Sequence, residues 1–409
     1  ENIEDQLANR RTQLILNVTE DCNFRCSYCL YSGGYENYRS HSQTTMGWEV
    51  ARRAIDEFLA HCGESTGPVI SFYGGEPLLG IGLIRRCVAY ARAHSAREDL
   101  RFSLTTNGSL LTGDTAEFLG REKFVITVSL DGPEEVHDAC RRTRSGKPTF
   151  ARVRGNVRDF LARFGDYRTD AGLRFNAVAS PGMDLRKAEA FFASCDLFTD
   201  SMGLSIAIEG RPGERKPLGS DDPLRISMEE IRRSMREAHE SGRFGEEHRQ
   251  PSRWIQAGLY QKRLLMFHKR GLLPGPLSED LHFLTTCVPG VRKLFTACDG
   301  SYYACERVVH SPAQRIGDVF SGVQTGRARD VLEQWMDANS GQCRQCWCLS
   351  HCQVGCPAAL ENDGRPTAEA KARLCAANRR DTHRALVEYC EILEANPKAF
   401  DYMAEIKVG

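Results

Sequence analysis

The chain has 409 residues, 41% of them hydrophobic, and its 54 Lys and Arg are balanced by 54 Asp and Glu. That length allows two or three domains with ample core, and zero net charge removes the phosphate attraction on which nucleic-acid binders rely, so no nucleic acid is expected as a partner. No apolar run reaches the roughly 20 residues that cross a bilayer, and the start lacks a signal-peptide pattern, so no membrane partner and a cytoplasmic location are expected.

In chain order, short β-branched runs predict strands at Thr12–Thr19, Val69–Tyr73, Arg101–Thr106, Phe124–Leu130, Leu173–Ala179 and Gly203–Ile208. Amphipathic stretches between them predict helices at Trp48–Cys62, Leu83–Ala93, Thr115–Arg121, Arg152–Arg163 and Asp184–Ser194. This alternation implies βαβ units and a parallel sheet, closed as a barrel or partial barrel or left open. Gly210–Pro223 reads as a connection, Ser227–Ser241 and Trp254–Lys269 as helices, and Thr367–Leu393 as a last helix. From about residue 285 the texture changes to short hairpins dense in cysteine.

Seventeen cysteines do not suit a disulfide framework in a long chain held in a reducing compartment, which leaves metal or redox chemistry. The first cluster, Cys22-Asn-Phe-Arg-Cys26-Ser-Tyr-Cys29, follows the first strand. Three thiolates can occupy three irons of a [4Fe–4S] cluster and leave the fourth open, while a zinc site is the alternative. After the second strand, Gly74-Gly75-Glu76 combines two glycines that allow a ligand close to the backbone with a carboxylate suited to an ammonium group.

In this order the two motifs resemble the radical S-adenosylmethionine (SAM) superfamily, and Thr105-Thr106-Asn107-Gly108 and Ser129-Leu130-Asp131-Gly132-Pro133 with Arg141 extend the resemblance. It implies an α/β fold, a partial (β/α)6 TIM-like barrel, in which Cys22, Cys26 and Cys29 hold the cluster. It also implies SAM contacts from Gly74, Gly75, Glu76 and Asn107, from Ser129 to the ribose, from Arg141 to the carboxylate, and from the Tyr28 backbone to the adenine. Reductive cleavage of SAM to a 5′-deoxyadenosyl radical is the implied chemistry.

The tail carries Cys287, Gly300 and Cys305, then Cys343-x2-Cys346-x5-Cys352-x3-Cys356 and Cys375. This resembles the SPASM extension of peptide- and protein-modifying radical SAM enzymes, which implies two auxiliary [4Fe–4S] clusters where spacing alone would also allow a zinc ribbon. By that resemblance Cys343, Cys346, Cys352 and Cys375 hold one cluster, and Cys287, Cys305 and Cys356 the other. Relatives with a fully ligated first auxiliary cluster use one more cysteine upstream of the Cys287 position, and residues 281–286 contain none, so an open iron is expected, with Cys348 and His282 as the alternative fourth ligand. Cys298 is set aside. Asp299-Gly300 predicts a two-residue hairpin turn that pairs Cys298 with Ser301 and Leu294 with Cys305, which places the two thiols on the order of 14 Å apart.

The implied division is a tail at 1–11, the barrel at 12–225, a helical bridge at 226–284 and the SPASM region at 285–409. An open auxiliary iron resembles thioether-forming maturases of Cys-rich peptides, so the expected reaction is a Cys thioether crosslink to a carbon of another residue. Glu306 matches a carboxylate used as a base in sulfatase-maturating relatives, with pairing to Arg307 as the plainer role. Oxidation of Ser or Cys, carbon–carbon crosslinking and epimerisation are the alternatives on this scaffold, and an iron–sulfur electron carrier is the alternative without catalysis. The expected partners are a Cys-containing precursor peptide or small protein subunit and a flavodoxin or ferredoxin. A separate leader-peptide-binding protein is a further one, because the chain starts about a dozen residues before the first strand. Cys62, Cys87, Cys140, Cys195, Cys298, Cys348 and Cys390 remain, read mostly as small buried hydrophobes.

Overall fold

The computed structural model of the chain describes residues 3–33, 40–170, 172–210, 217–269, 287–308, 311–352, 354, 361–362, 365–366 and 368–406. Strands and helices alternate through the first half: α1 (Ile3–Asn9), β1 (Gln13–Thr19), α2 (Trp48–Ala60), β2 (Val69–Gly74), α3 (Ile81–His94), β3 (Arg101–Thr106) and α4 (Gly113–Arg121). They continue with β4 (Val125–Ser129), α5 (Glu134–Cys140), α6 (Phe150–Arg163), β5 (Leu173–Ala179), α7 (Leu185–Ser194) and β6 (Leu204–Ile208). In the sheet β1 to β6 follow one another in chain order, all parallel, as a partial (β/α)6 barrel requires. Arg101–Thr106 and Leu173–Ala179 lie where their alternation placed them.

Alternation also sorts the two faces of the sheet. Leu14, Leu16, Ile70, Phe72, Phe102, Leu104, Ile126 and Val128 share one core with Ile55, Phe58, Val88, Leu119 and Phe160 of the covering helices. The intervening residues, among them Gln13, Ser71, Tyr73, Ser103, Thr127 and Asn176, line the opposite face. There Gln13 Nε2 donates to Ser71 Oγ at 2.6 Å, and the Ser71 and Ser103 hydroxyls lie 2.6 Å apart. A one-residue slip would exchange the faces, so the apolar set fixes the register.

Beyond β6 come α8 (Pro223–Glu240), α9 (Arg243–Glu247), α10 (Trp254–Gln256) and α11 (Lys262–His268). Asp222 caps α8 by accepting the Leu224 N–H, with Pro223 at the first position, where its missing N–H costs nothing. The single helix expected over 254–269 is interrupted by a π turn at Ala257–Gln261.

β7 (Leu294–Thr296) pairs parallel to β1, with Leu14 facing Leu294 and Leu16 facing Thr296. β8 (Ser301–Tyr303), β9 (Arg315–Asp318) and β10 (Gly322–Val323) continue antiparallel, giving a ten-stranded sheet among the described residues. The Cys-rich hairpins are therefore built onto the free edge of the barrel. α12 (Thr325–Cys343) was not foreseen, whereas α13 (Ala368–Ala395) matches the expected last helix. Within the stretch read as a tail, α1 buries Leu7 and pairs Glu4 with Arg329 of α12. No described helix is long and apolar enough to cross a membrane.

One register differs from expectation. Phe295 faces Tyr303 and Thr296 faces Tyr302, so the β7–β8 loop is Cys298-Asp299-Gly300 and not a two-residue turn. Gly300 takes φ 90°, and Asp299 Oδ1 accepts the Ser301 N–H at 2.9 Å, the arrangement of a three-residue hairpin. Cys298 thereby leaves the strand, and its Sγ donates to Asn17 O at 3.0 Å.

Candidate active site

The loop bearing Cys22, Cys26 and Cys29 leaves β1 and is clamped on three sides. Gly75 N donates to Thr19 O and Glu76 N to Asp21 O, both at 2.8 Å. A Cβ on Gly75 would lie 2.1 Å from Asp21 O, and one on Gly74, at φ 156°, 2.3 Å from Thr19 O. The clearance that the sequence reading assigned to a ligand is thus used by the chain's own backbone, which docks the cysteine loop on the glycine pair. On the second side Asn107 Nδ2 donates to Asn23 Oδ1 at 2.8 Å and approaches Cys22 Sγ at 3.9 Å. On the third, Arg25 N donates to Arg142 O at 2.8 Å, Ser27 N to Cys140 O at 3.1 Å, and Arg144 pairs with Asp21.

Glu76 is fully buried, and its carboxylate is occupied within the protein. Oε1 accepts from Leu78 N at 3.1 Å and Thr106 Oγ1 at 2.7 Å, and Oε2 accepts from Asn107 N at 2.7 Å. Burial raises its pKa to about 7 against those three donors. The side chain therefore staples the end of β2 to the end of β3, a role beyond the ammonium contact expected from sequence.

Arg141, expected to contact the SAM carboxylate, is buried in a bidentate pair with Asp131, Nε to Oδ2 at 2.8 Å and Nη2 to Oδ1 at 3.1 Å. Tyr28 Oη donates to the same Oδ2 at 2.6 Å, and its ring lies 5.2 Å from the guanidinium. Asp131 Oδ1 also accepts Val178 N at 3.0 Å. Asp131 received no role from sequence; a carboxylate just past a strand end, ten residues before an arginine, was the available signal. Ser129 ends β4 on the face shared with Asn176, its paired residue in β5. Glu76, Asn107, Ser129 and Asp131 sit at or just past C-terminal strand ends, the face on which (β/α) barrels build their sites, and Arg141 reaches Asp131 from the end of α5.

The donor set fits an iron–sulfur cluster. Burial first, then Glu76, Cys26 and Cys29, pushes the Cys22 thiol up to about 12, and burial raises Cys26 to about 11 against the pull of Arg141. Thiols crowded together and held protonated in this way are drawn to the thiolate form by bound iron, whose positive charge offsets both burial and their mutual repulsion. Among the described residues no three Cys, His, Asp or Glu donors gather about one point as a single ion requires. A cluster that takes one thiolate per iron makes no such demand.

The second cysteine system approaches the first. Tyr31, two residues beyond Cys29, directs its hydroxyl to Glu306 O at 3.5 Å, and Cys305 packs with Tyr73, Ile15 and Phe295 on the non-helical face of the sheet. The Glu306 carboxylate pairs with Lys293, at 2.9 and 3.1 Å, and not with the expected Arg307. Burial raises the pKa values of Cys343, Cys348 and Cys352, and the neighbouring cysteines add to it: Cys375, Cys346 and Cys348 at Cys343, Cys346 at Cys348, and Cys348, Cys375 and Cys343 at Cys352. Cys348, considered as a spare ligand for the cluster of Cys287 and Cys305, stands in this other group, where Asn378 Nδ2 donates to its Sγ at 3.2 Å. Cys356, His282 and the rest of 281–286 lie outside the described residues, and so does the expected open iron that rests on them. Of the remaining cysteines, Cys62 and Cys87 are core residues, Cys140 and Cys195 are half-buried, and Cys390 is exposed.

A radical SAM superfamily domain matches residues 16–172. A cysteine-type anaerobic sulfatase-maturating enzyme of Clostridium perfringens (strain 13) is 34% identical over 146 residues, 34% of this chain and 38% of that one. A serine-type anaerobic sulfatase-maturating enzyme of Bacteroides thetaiotaomicron is 30% identical over 135 residues, 32% of each. The chain thus matches about a third of these relatives' length. Among solved structures, native anSMEcpe with bound AdoMet superposes with a TM-score of 0.68 at 20% identity, covering 97% of this chain and 100% of that one. Streptococcus suis SuiB bound to S-adenosylmethionine gives 0.54 at 13%, over 88% and 77%. At such identities the likeness speaks for the fold. The motif matches, the clamped cysteine loop and these relatives agree: the chain carries a radical SAM domain at residues 16–172.

Proposed function

We propose that the chain is a radical SAM enzyme of the SPASM type that modifies a Cys- or Ser-containing peptide or small protein. The reading rests on Glu306, a carboxylate next to Cys305, held by Lys293 and touched through its backbone by Tyr31 of the SAM-cluster loop. In this reading Cys22, Cys26 and Cys29 hold the SAM cluster. Cys343, Cys346, Cys352 and Cys375 hold one auxiliary cluster, and Cys287, Cys305 and Cys356 the other. When bound, SAM and the clusters supply the radical that removes a substrate hydrogen atom and the acceptor for the remaining electron. Glu306 takes the proton of the substrate thiol or hydroxyl, Lys293 holds the carboxylate in place, and Ser129 and Arg141 orient SAM.

Oxidation of a Cys or Ser side chain is the first reading, favoured by the sulfatase-maturating relatives. Thioether formation is the second, favoured by the lack of cysteine in residues 281–286. Anaerobic incubation with SAM, a reductant and peptides containing Cys or Ser, followed by mass spectrometry, separates them. A new aldehyde that reacts with hydrazide supports oxidation, and a lost thiol with an intramolecular link supports the thioether. Absence of 5′-deoxyadenosine with intact clusters rejects both.

A further inference from the structure

Away from the cysteine loop, a cavity of about 720 Å³ lies between α8, α11, α13 and Ile208, the last residue of β6. That volume lies within the range of ligand sites. Its charged lining is unequal, with five arginines against Glu229, Asp381 and Glu388. Glu388 is taken up by Arg232, with contacts at 2.8 and 3.0 Å, and Glu229 by Arg384 at 2.8 Å. Of the acids in the lining, Asp381 is left for Arg225, Arg263 and Arg380, with Arg225 also near the already paired Glu229. Arg263 donates to Thr382 Oγ1, while Arg225 and Arg380 make no ion pair or side-chain hydrogen bond with any described residue.

The rest of the wall is mostly apolar, and an unusual backbone supplies part of it. The π turn at Ala257–Gln261 brings the consecutive residues Leu259 and Tyr260 to the cavity. Such turns are rare and concentrate at functional sites. Tyr260 is fixed there, its hydroxyl donating to Met228 O at 2.7 Å and the Arg232 guanidinium 5.7 Å from its ring centre. A free phosphate would satisfy the cations and leave Leu218, Leu259 and Tyr260 without a partner.

We propose that this cavity binds an acidic peptide segment carrying aliphatic side chains, the recognition region of the peptide substrate, with its carboxylates on Arg225 and Arg380. The site lies beside Ile208, at the end of β6, the edge strand of the barrel. The word substrate rests on the reading proposed above, but the ligand chemistry does not.

The experiment is fluorescence anisotropy of the full chain with a fluorescein-labelled peptide of Glu, Leu and Gly, a twin with Gln for Glu, and inorganic pyrophosphate as competitor. The acidic peptide is expected to bind at least about tenfold more tightly than its twin, and to weaken with salt. The double variant Arg225→Glu/Arg380→Glu is expected to lose about tenfold or more in affinity while SAM cleavage without peptide is unchanged. Equal affinity for the two peptides, indifference to the double variant, or complete displacement by equimolar pyrophosphate overturns the inference. Binding is read without turnover, so a chain that binds the acidic peptide and modifies nothing rejects the proposed reaction and keeps this site.

Discussion

Arg141 and Asp131 form a two-bond ion pair buried beneath the cysteine loop, with Nε to Oδ2 at 2.8 Å and Nη2 to Oδ1 at 3.1 Å. Tyr28 shares Oδ2 and Val178 shares Oδ1, so one carboxylate joins the loop, the end of β4 and β5. Breaking such a pair strands a charge out of water. Asp131→Asn is expected to cost about 3 kcal/mol in chemical denaturation and to raise the KM for SAM, because Arg141 loses its anchor. Unchanged stability and KM would show that the pair positions nothing.

Gly75→Ala tests the backbone clamp. The added methyl meets Asp21 O, a main-chain atom in the loop that starts the cysteine motif, so relief requires the loop itself to move. The variant is expected to purify with markedly less iron and weaker cluster absorbance than wild type. Full iron content would mean that the loop has room to shift without losing its cluster.

Substitutions at Glu306 and Lys293 separate the two half-reactions. Glu306→Gln removes the proposed base and is expected to slow peptide modification by about 100-fold or more. SAM cleavage in the absence of peptide should persist, since among the described residues the contact of Glu306 with the cysteine loop runs through its backbone oxygen. Lys293→Met is expected to produce a smaller loss of the same kind. Both are measured by quantifying 5′-deoxyadenosine and product in parallel.

His239 provides a pH signature of folding. Burial pushes its pKa down to about 4, with Arg253 adding to the effect and a hydrogen bond to Met235 O opposing it. Its ring stacks on Phe244 at 4.1 Å, and Nε2 lies 3.1 Å from Tyr402 Oη. In the unfolded chain it titrates near 6.5, so between these values the unfolded state carries a proton that the folded state lacks. This contribution is whole above about pH 6.5 and declines as pH falls toward 4, by about 2 kcal/mol between pH 7 and 5. His239→Gln is expected to flatten that part of the stability profile. Glu76, raised to about 7, works in the opposite sense and is common to both proteins.

The barrel strands were legible because each pairs an apolar face with a polar one, and that alternation survives in the primary structure. The cysteine motifs were legible for a similar reason, since a loop that must present three thiols spaces them locally. The role of Gly74 and Gly75 was not, because the atoms they avoid belong to Thr19 and Asp21, more than fifty positions earlier. Asp131 was missed for the same reason: its partners Tyr28 and Val178 lie about a hundred residues upstream and nearly fifty downstream. The β7–β8 register failed on a local ambiguity. Asp-Gly suits both two- and three-residue turns, and the choice fell to the pairing of Phe295 with Tyr303.

β1 has parallel neighbours on both sides, β2 and β7. The cysteine-rich half is consequently no detachable module, since it supplies the strand that finishes the barrel's flank. A chain ended before residue 287 would leave the main-chain groups of Leu14, Ile15 and Leu16 without their partners, an unprotected sheet edge next to an apolar strand. Shortened versions of this protein should self-associate before they reveal anything about the isolated barrel.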